Sequence, residues 1–163
     1  MKIDRVITGS LEENCYILGI EDKVLVIDPG DNIDKINKVI NNRKVLGVLI
    51  THRHFDHVGA LSYFDKNIIY DRSNTEEKEY KIDKFNFNII FNPGHSSDSI
   101  SFYFKKENID TLDATDELLM TVISVLAQDE RFNTTGNIDK AFRTEDGELD
   151  LERLLGHKLG ENG

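Results

Sequence analysis

His52, His54, Asp56 and His57 fall within six consecutive positions of the segment Thr51-His52-Arg53-His54-Phe55-Asp56-His57. Imidazole nitrogens and a carboxylate packed this densely are the donors that hold a transition-metal cation. In an extended segment residues i and i+2 point the same way, so His52 and His54 can reach one cation from one face. Asp56 and His57 follow where the chain turns, and can face a second cation or the same one. His95 comes from a separate segment, just past Asn92-Pro93-Gly94, and could complete a three-imidazole set with His52 and His54. Three neutral imidazoles with an open fourth position are the ligand pattern of catalytic zinc. A lone His is most often an ordinary surface or core residue. Here four of the chain's five His fall in two short segments, which favours a metal site.

The elements that must position these residues are legible as short periodic runs. Lys2–Thr8, Cys15–Leu18 and Lys23–Ile27 are rich in β-branched or aromatic residues and are expected as strands. Asp28-Pro29-Gly30 is a turn, with Pro presetting φ and Gly accepting φ > 0. Within Asp31–Asn42 the period switches: Ile33, Ile36, Val39 and Ile40 recur at helical spacing. Val45–Ile50 is an apolar run of strand length, expected to be buried on both faces. This strand–turn–helix–strand order is that of a layered α/β domain. The His motif begins directly after Ile50, past a strand end, where α/β proteins keep their chemistry. A helix start is expected over Gly59–Phe64 and a strand over Ile68–Tyr70. Phe85–Phe91 alternates and then turns apolar before the break that precedes His95, and Ser99–Phe104 closes the α/β region with another strand.

The chain has 163 residues, a net charge of −10, 39% hydrophobic and 31% charged residues, which fits one soluble globular domain. The single Cys15 excludes an internal disulfide framework and fits a reducing cytoplasm. No apolar run approaches a membrane span, no signal-peptide core is present, and the acidic balance argues against a nucleic-acid or anionic-membrane partner. The charge is uneven. Residues 1–108 carry 15 Lys/Arg and 17 Asp/Glu, a net of −2, whereas residues 109–163 carry 5 and 13, a net of −8. That shift divides the chain into 1–108, an α/β unit, and 109–163, an acidic segment whose Leu118, Leu119, Val122, Ile123, Val125 and Leu126 make a helical stripe.

THRHFDH matches the HxHxDH motif of the metallo-β-lactamase-fold hydrolases, a family that includes glyoxalase II. The resemblance spans residues 1–106 and takes in NCYIL, the VIDPG turn, VLITHRHFDHVGAL and NPGHSSDSISFYF. It implies a four-layer αββα sandwich, of which this chain carries the N-terminal half, with one or two metals at the edge between the sheets. It implies that His52, His54 and His95 hold the first metal and Asp56 and His57 the second, with Asp28 and Gly30 as support. The cofactor implied is zinc, one or two ions per chain, with iron or manganese as alternatives. The chemistry implied is hydrolysis of a small ester, thioester or phosphoester: the cation lowers the pKa of a bound water to ~7, and Asp56 orients that water or takes its proton.

The family's next motif, an apolar strand ending in Gly-Asp, has no counterpart about twenty residues after His95. Asp113 is the nearest replacement bridging ligand by spacing, with Asp110 and Asp116 as rivals, and His157 is a weak substitute for the family's late His. Residues 109–163 instead resemble a fragment of a large serine recombinase, through IDTLDATDELLMTVISVLAQDER and GELDLERLLGHKLGENG. The recombinase's nucleophilic serine and basic DNA-binding parts have no counterpart here, which argues against a recombination role. A composite chain of this kind leaves an apolar sheet face to be covered by the C-terminal helix or by pairing of two chains. The alternative to an active hydrolase is a catalytically impaired truncated or fusion remnant that holds metal weakly or not at all.

Overall fold

The structure, a computed structural model, describes residues 1–104. The expectations for Asp113, for His157 and for a helix within 109–163 fall outside the described residues. β1 (Lys2–Thr8) and β2 (Glu13–Ile20) form an antiparallel hairpin, and β3 (Lys23–Ile27) continues it. The chain crosses through α1 (Ile33–Ile40) to β4 (Lys44–Leu49), parallel to β3, and later adds the short parallel strand β5 (Ile69–Tyr70). The spatial order is β1-β2-β3-β4-β5. A second, antiparallel sheet follows in the order β6 (Glu79–Ile82), β7 (Phe85–Phe91), β8 (Ile100–Phe104).

Period-2 alternation in β7 turns Phe85, Phe87 and Ile89 inward beside Ile100, Phe102 and Phe104 of β8. These six pack against Tyr16, Leu18, Leu25, Ile27 and Leu49 of the larger sheet. Each fully buried side chain of this size contributes roughly 1.5–3 kcal/mol. The inner face that the sequence left seeking a helix or a second chain is therefore covered by β7 and β8. On the outer face, Val24, Val26, Val48 and Ile50 pack with Ile36 and Ile40 of α1. The described layers are thus helix, sheet, sheet, with β4 apolar on both sides as its composition requires. Among the described residues no helix is long and apolar enough to cross a membrane.

Some element bounds differ from the sequence reading, each for a local reason. The helix expected across Asp31–Asn42 is shorter because Asn32 (φ 56°) and Asn41 (φ 51°) cap it in the left-handed region, which Asn tolerates. The Asn32 side chain also accepts from the Lys35 amide at 3.3 Å. Helix expected at Gly59–Phe64 is only a 3₁₀ turn at Leu61–Tyr63, and the α-helical turn α2 (Phe55–Val58) lies earlier, inside the His motif. The strand expected over Cys15–Leu18 runs from Glu13 to Ile20, because hairpin pairing with β1 extends it at both ends. β6 was not anticipated; its EYKI sequence owes its strand form to pairing with β7.

Candidate metal centre

β4 delivers Thr51 and His52 to the seam between the sheets, each 1% exposed. The Thr51 amide donates to Asp28 Oδ1 at 2.8 Å, and the Thr51 hydroxyl donates to Asp28 Oδ2 at 2.6 Å. Thr51 Oγ1 also lies 3.0 Å from His52 Nδ1. With its proton committed to Asp28, that hydroxyl can only accept, so the network assigns the His52 proton to Nδ1. Nε2 is left as a bare lone pair, buried and without a hydrogen-bond partner. Burial, reinforced by neighbouring His57, lowers the His52 pKa to about 4, so the ring is neutral at physiological pH. A buried acceptor left without a partner is costly unless a ligand meets it.

His54 caps α2 in an extended conformation, φ −65° and ψ 148°, and this keeps it on the same side as His52. His95 comes from the β7–β8 connection and brings Nε2 to 2.9 Å from His54 Nδ1. The His52 ring centroid is 4.6 Å from that of His54 and 5.1 Å from that of His95. One ligand nitrogen from each of the three lies within 4.8 Å of the others. Nitrogens sharing one tetrahedral zinc stand about 3.3 Å apart, so the set closes around a cation with little adjustment. Two bonds hold the loops in mutual register. The Ile100 amide donates to the Thr51 carbonyl at 2.8 Å, and the Arg53 amide donates to Asp98 Oδ2 at 3.0 Å.

The other side of the cluster has a different character. α2 carries Asp56 and His57, and the His57 ring centroid is 4.1 Å from that of His52. His57 Nδ1 lies 3.0 Å from Asp28 Oδ2, while its Nε2 lies 3.6 Å from Asp56 Oδ2. Asp28 thereby holds the ring with Nε2 toward Asp56, the carboxylate–histidine arrangement that orients metal-ligating imidazoles. Burial pulls the His57 pKa down, but the Asp28 hydrogen bond and the charges of Asp28, Glu13 and Asp56 outweigh it, and the net direction is up. Burial also raises Glu13, to about 8, against the opposing hydrogen bond from Thr8. Glu13, Asp28 and His57 form a second group of donors within 4.8 Å of one another. Asp28 already accepts three hydrogen bonds there, from the Thr51 amide, the Thr51 hydroxyl and His57. The group is therefore a hydrogen-bonded support, not an open ligand set.

The Asp28–Gly30 turn is built for this contact. Asp28 itself has φ 47°, a left-handed conformation that costs a non-Gly residue about 1–3 kcal/mol. Its amide donates to the Leu49 carbonyl at 3.0 Å, which holds it there. A Cβ at Gly30 would strike the Asp56 carbonyl, Glu13 Oε2 and Thr8 Oγ1, so only glycine lets α2 sit on the turn. Beside Asp56 lies an open cleft of ≈ 210 Å³ lined by Thr8, Leu11, Phe55 and Gly59 among others. Leu11 is 59% and Phe55 75% exposed at that cleft.

The residues expected from the motif thus converge: His52, His54 and His95 form one set, Asp56 and His57 stand beside it, and Asp28 and Gly30 lie beneath. Sequence reasoning missed Glu13, Thr8 and Thr51. Thr8 and Glu13 are the last and first residues of the β1 and β2 hairpin strands and pair directly, so hairpin register was the signal that could have joined them.

Sheets packed face to face with an imidazole cluster at their shared edge define a metallo-β-lactamase-type fold. Residues 8–81 match the family model of the Metallo-beta-lactamase superfamily. A probable metallo-hydrolase of Bacillus subtilis, YqgX, is 30% identical over 144 residues, covering 67% of this chain and 68% of that protein. The chain belongs to the metallo-beta-lactamase superfamily. A hydroxyacylglutathione hydrolase of Psychromonas ingrahamii is 25% identical over 122 residues, covering 62% of this chain and 47% of its own length. Among solved structures, BLEG-1 B3 metallo-beta-lactamase superposes with a TM-score of 0.58 at 24% identity, covering 65% of this chain and 68% of that one. TTHA1623, solved in a di-iron-bound form, superposes with a TM-score of 0.52 at 25% identity, covering 62% and 66%. The chain thus spans about two thirds of some relatives and, at 47%, about half of the hydroxyacylglutathione hydrolase.

Proposed function

We propose that this chain is a metal-dependent hydrolase in which His52, His54 and His95 hold the first cation and Asp56 and His57 bear on a second. The observation that carries this reading is the buried, unpartnered Nε2 of His52 beside two further imidazoles. Zinc suits three neutral imidazoles best. Iron is the alternative that the di-iron form of TTHA1623 supports. A bound cation supplies a Lewis acid for the substrate oxygen and an acidified water.

The protein's own groups do the rest. Asp56, its side chain 24% exposed at the rim of the cleft, accepts the proton of the attacking water. Asp28 touches no substrate; it fixes the tautomer of His57 directly and that of His52 through Thr51. Leu11 and Phe55 offer an apolar rest for a small substrate beside Asp56. The hydroxyacylglutathione hydrolase relative favours a thioester within the wider class of esters and phosphoesters. The single buried Cys15 suits a cytoplasmic setting. We assign no catalytic role to residues 109–163, whose serine recombinase likeness rests on sequence alone.

Zinc titration of the metal-free chain, followed by assay on generic thioesters and phosphodiesters, tests the proposal. One tight equivalent and a chelator-sensitive turnover are expected. One equivalent with no turnover favours the impaired remnant. No binding overturns both the metal site and the activity.

A further inference from the structure

Arg53 stands between two members of the three-imidazole set, and its side chain takes no part in that set. The ladder of β4 ends at Leu49, so the stretch that carries His52 and His54 is held by other bonds. His52 is buried and braced by Thr51. His54 is exposed, so packing does not fix its ring. Its carbonyl accepts the His57 amide at 3.0 Å, which ties one side of it to α2, and on the other side Arg53 joins it to His52.

Arg53 is anchored twice. Its amide donates to Asp98 Oδ2 on the loop of His95. In an extended stretch its side chain points away from His52 and His54. There Nε donates to Asp71 Oδ2 at 2.9 Å, and Nη2 donates to the same oxygen. Asp71 directly follows β5, the parallel neighbour of β4. Its other oxygen accepts the Ser73 amide at 2.8 Å and the Ser73 hydroxyl at 2.5 Å, while its own amide donates to Asn74 Oδ1 at 2.9 Å. The Asp71 side chain is 4% exposed, against 52% for Arg53. Burial pushes the Asp71 carboxyl up, but the hydrogen bonds from Ser73 and Arg53 outweigh it and the net direction is down. A fixed, ionised carboxylate thus grips a half-exposed guanidinium, whose planar fork is always charged. Beside the pair lies an open cavity of ≈ 380 Å³ lined by Leu61, Phe64 and Lys66 among others, so shortening Arg53 seals no void into the core.

From these contacts we propose that Arg53, gripped by Asp71, is a positioning residue that holds the exposed His54 ring against His95 in the cation-binding set. The proposal rests on the reading of His54 as a ligand, but its primary readout requires no metal. Asp28 braces the exit of β4 through Thr51, and Asp71 braces it through Arg53. The first brace serves His52 and the second serves His54. Without the second, the peptides between the two imidazoles are free to rotate. His54 then leaves His95, while His52 stays buried.

Through-space NMR between ring protons in the metal-free full chain tests this. The wild type is expected to show contact between His54 and His95, whose centroids are 4.6 Å apart, and between His52 and His57, at 4.1 Å. Arg53→Ala is expected to lose the first contact and keep the second. Asp71→Asn is expected to do the same, because its carbonyl stays with the Ser73 amide and its NH2 then faces the guanidinium. Arg53→Lys, which keeps one N–H on Asp71, is expected to restore the first contact. In a zinc titration Arg53→Ala and Asp71→Asn should weaken the tight equivalent by about tenfold, the low end of what losing a ligand's outer support costs, and Arg53→Lys by less. A retained His54–His95 contact in both Arg53→Ala and Asp71→Asn overturns the proposal. Loss of both ring contacts together, or unfolding of both variants, also overturns it, because the pair would then brace the fold at large and not His54. Failure of the hydrolase reading shows separately, as absence of zinc binding or turnover in the wild type.

Discussion

The two sides of the imidazole cluster share one six-residue motif, to which the β7–β8 connection adds His95, and end in opposite surroundings. His52, His54 and His95 present nitrogens to one another, and no carboxylate bonds to any of the three rings among the described residues. His57 is backed by Asp28 and Glu13 and fronted by Asp56. The first side is a set of imidazole donors with an orphaned buried lone pair on His52. The second is an acid-lined cradle in which the hydrogen bonds of Asp28 are already closed. The contrast teaches that a compact motif divides its labour through the elements around it. The apolar end of β4 buries His52 until it is neutral, whereas the Asp28 turn surrounds His57 with acceptors.

The largest effect expected from breaking that contrast is on the first side. His52→Ala or His95→Ala removes one of three imidazoles and should abolish the tight zinc equivalent and any hydrolysis with it, read by calorimetric titration. His57→Ala should leave that first equivalent in place. Asp28→Ala comes next, because it strands the Thr51 amide, the Thr51 hydroxyl and His57 Nδ1 in the interior. At about 1–3 kcal/mol for each buried group left unpaired, a loss of about 3 kcal/mol or more is expected in urea unfolding. Both sides of the cluster should suffer, since Asp28 serves both. Gly30→Ala drives a methyl group into Asp56, Glu13 and Thr8, and overpacking of this kind costs about 1–3 kcal/mol. The damage should fall on the second side, with the first zinc equivalent weakened less than in Asp28→Ala.

The smallest effect separates the sides by pH. His52 is lowered from 6.5 to about 4, so the unfolded chain binds the extra proton and stability falls as pH drops from 6.5 toward 4. Glu13 is raised from 4.5 to about 8, so the folded chain keeps the extra proton and its contribution falls as pH rises from 4.5 toward 8. Urea unfolding of the metal-free chain across this range should show both slopes. Glu13→Gln should flatten the alkaline one and leave the acid one. An unaltered alkaline slope in that variant would place the titration elsewhere.

What the sequence made legible was local. The donors of the motif sit within one short segment, and His95 announces itself after a Pro-Gly break past a strand. β1, β3, β4 and β7 carry enough β-branched and aromatic residues to show their period. α2 was invisible because four residues are too few for a helical pattern. Its neighbouring helix was overextended because left-handed Asn caps do not interrupt an apolar period. Glu13, Thr8 and Thr51 were missed for a different reason. Their roles depend on contacts distant in sequence, Thr8 with Glu13, Glu13 with His57 and Thr51 with Asp28, which only the hairpin and the pairing of β2, β3 and β4 create. The cover that β7 and β8 give the inner sheet face was likewise a property of pairing, not of composition.

The central claim is that three imidazoles from two loops gather one cation. X-ray absorption of the chain loaded with one equivalent of zinc measures this directly. The expected spectrum shows three imidazole nitrogens at about 2.0–2.1 Å, and His95→Ala reduces them to two. A zinc shell of oxygen donors without imidazole scattering, unchanged in His95→Ala, would contradict it.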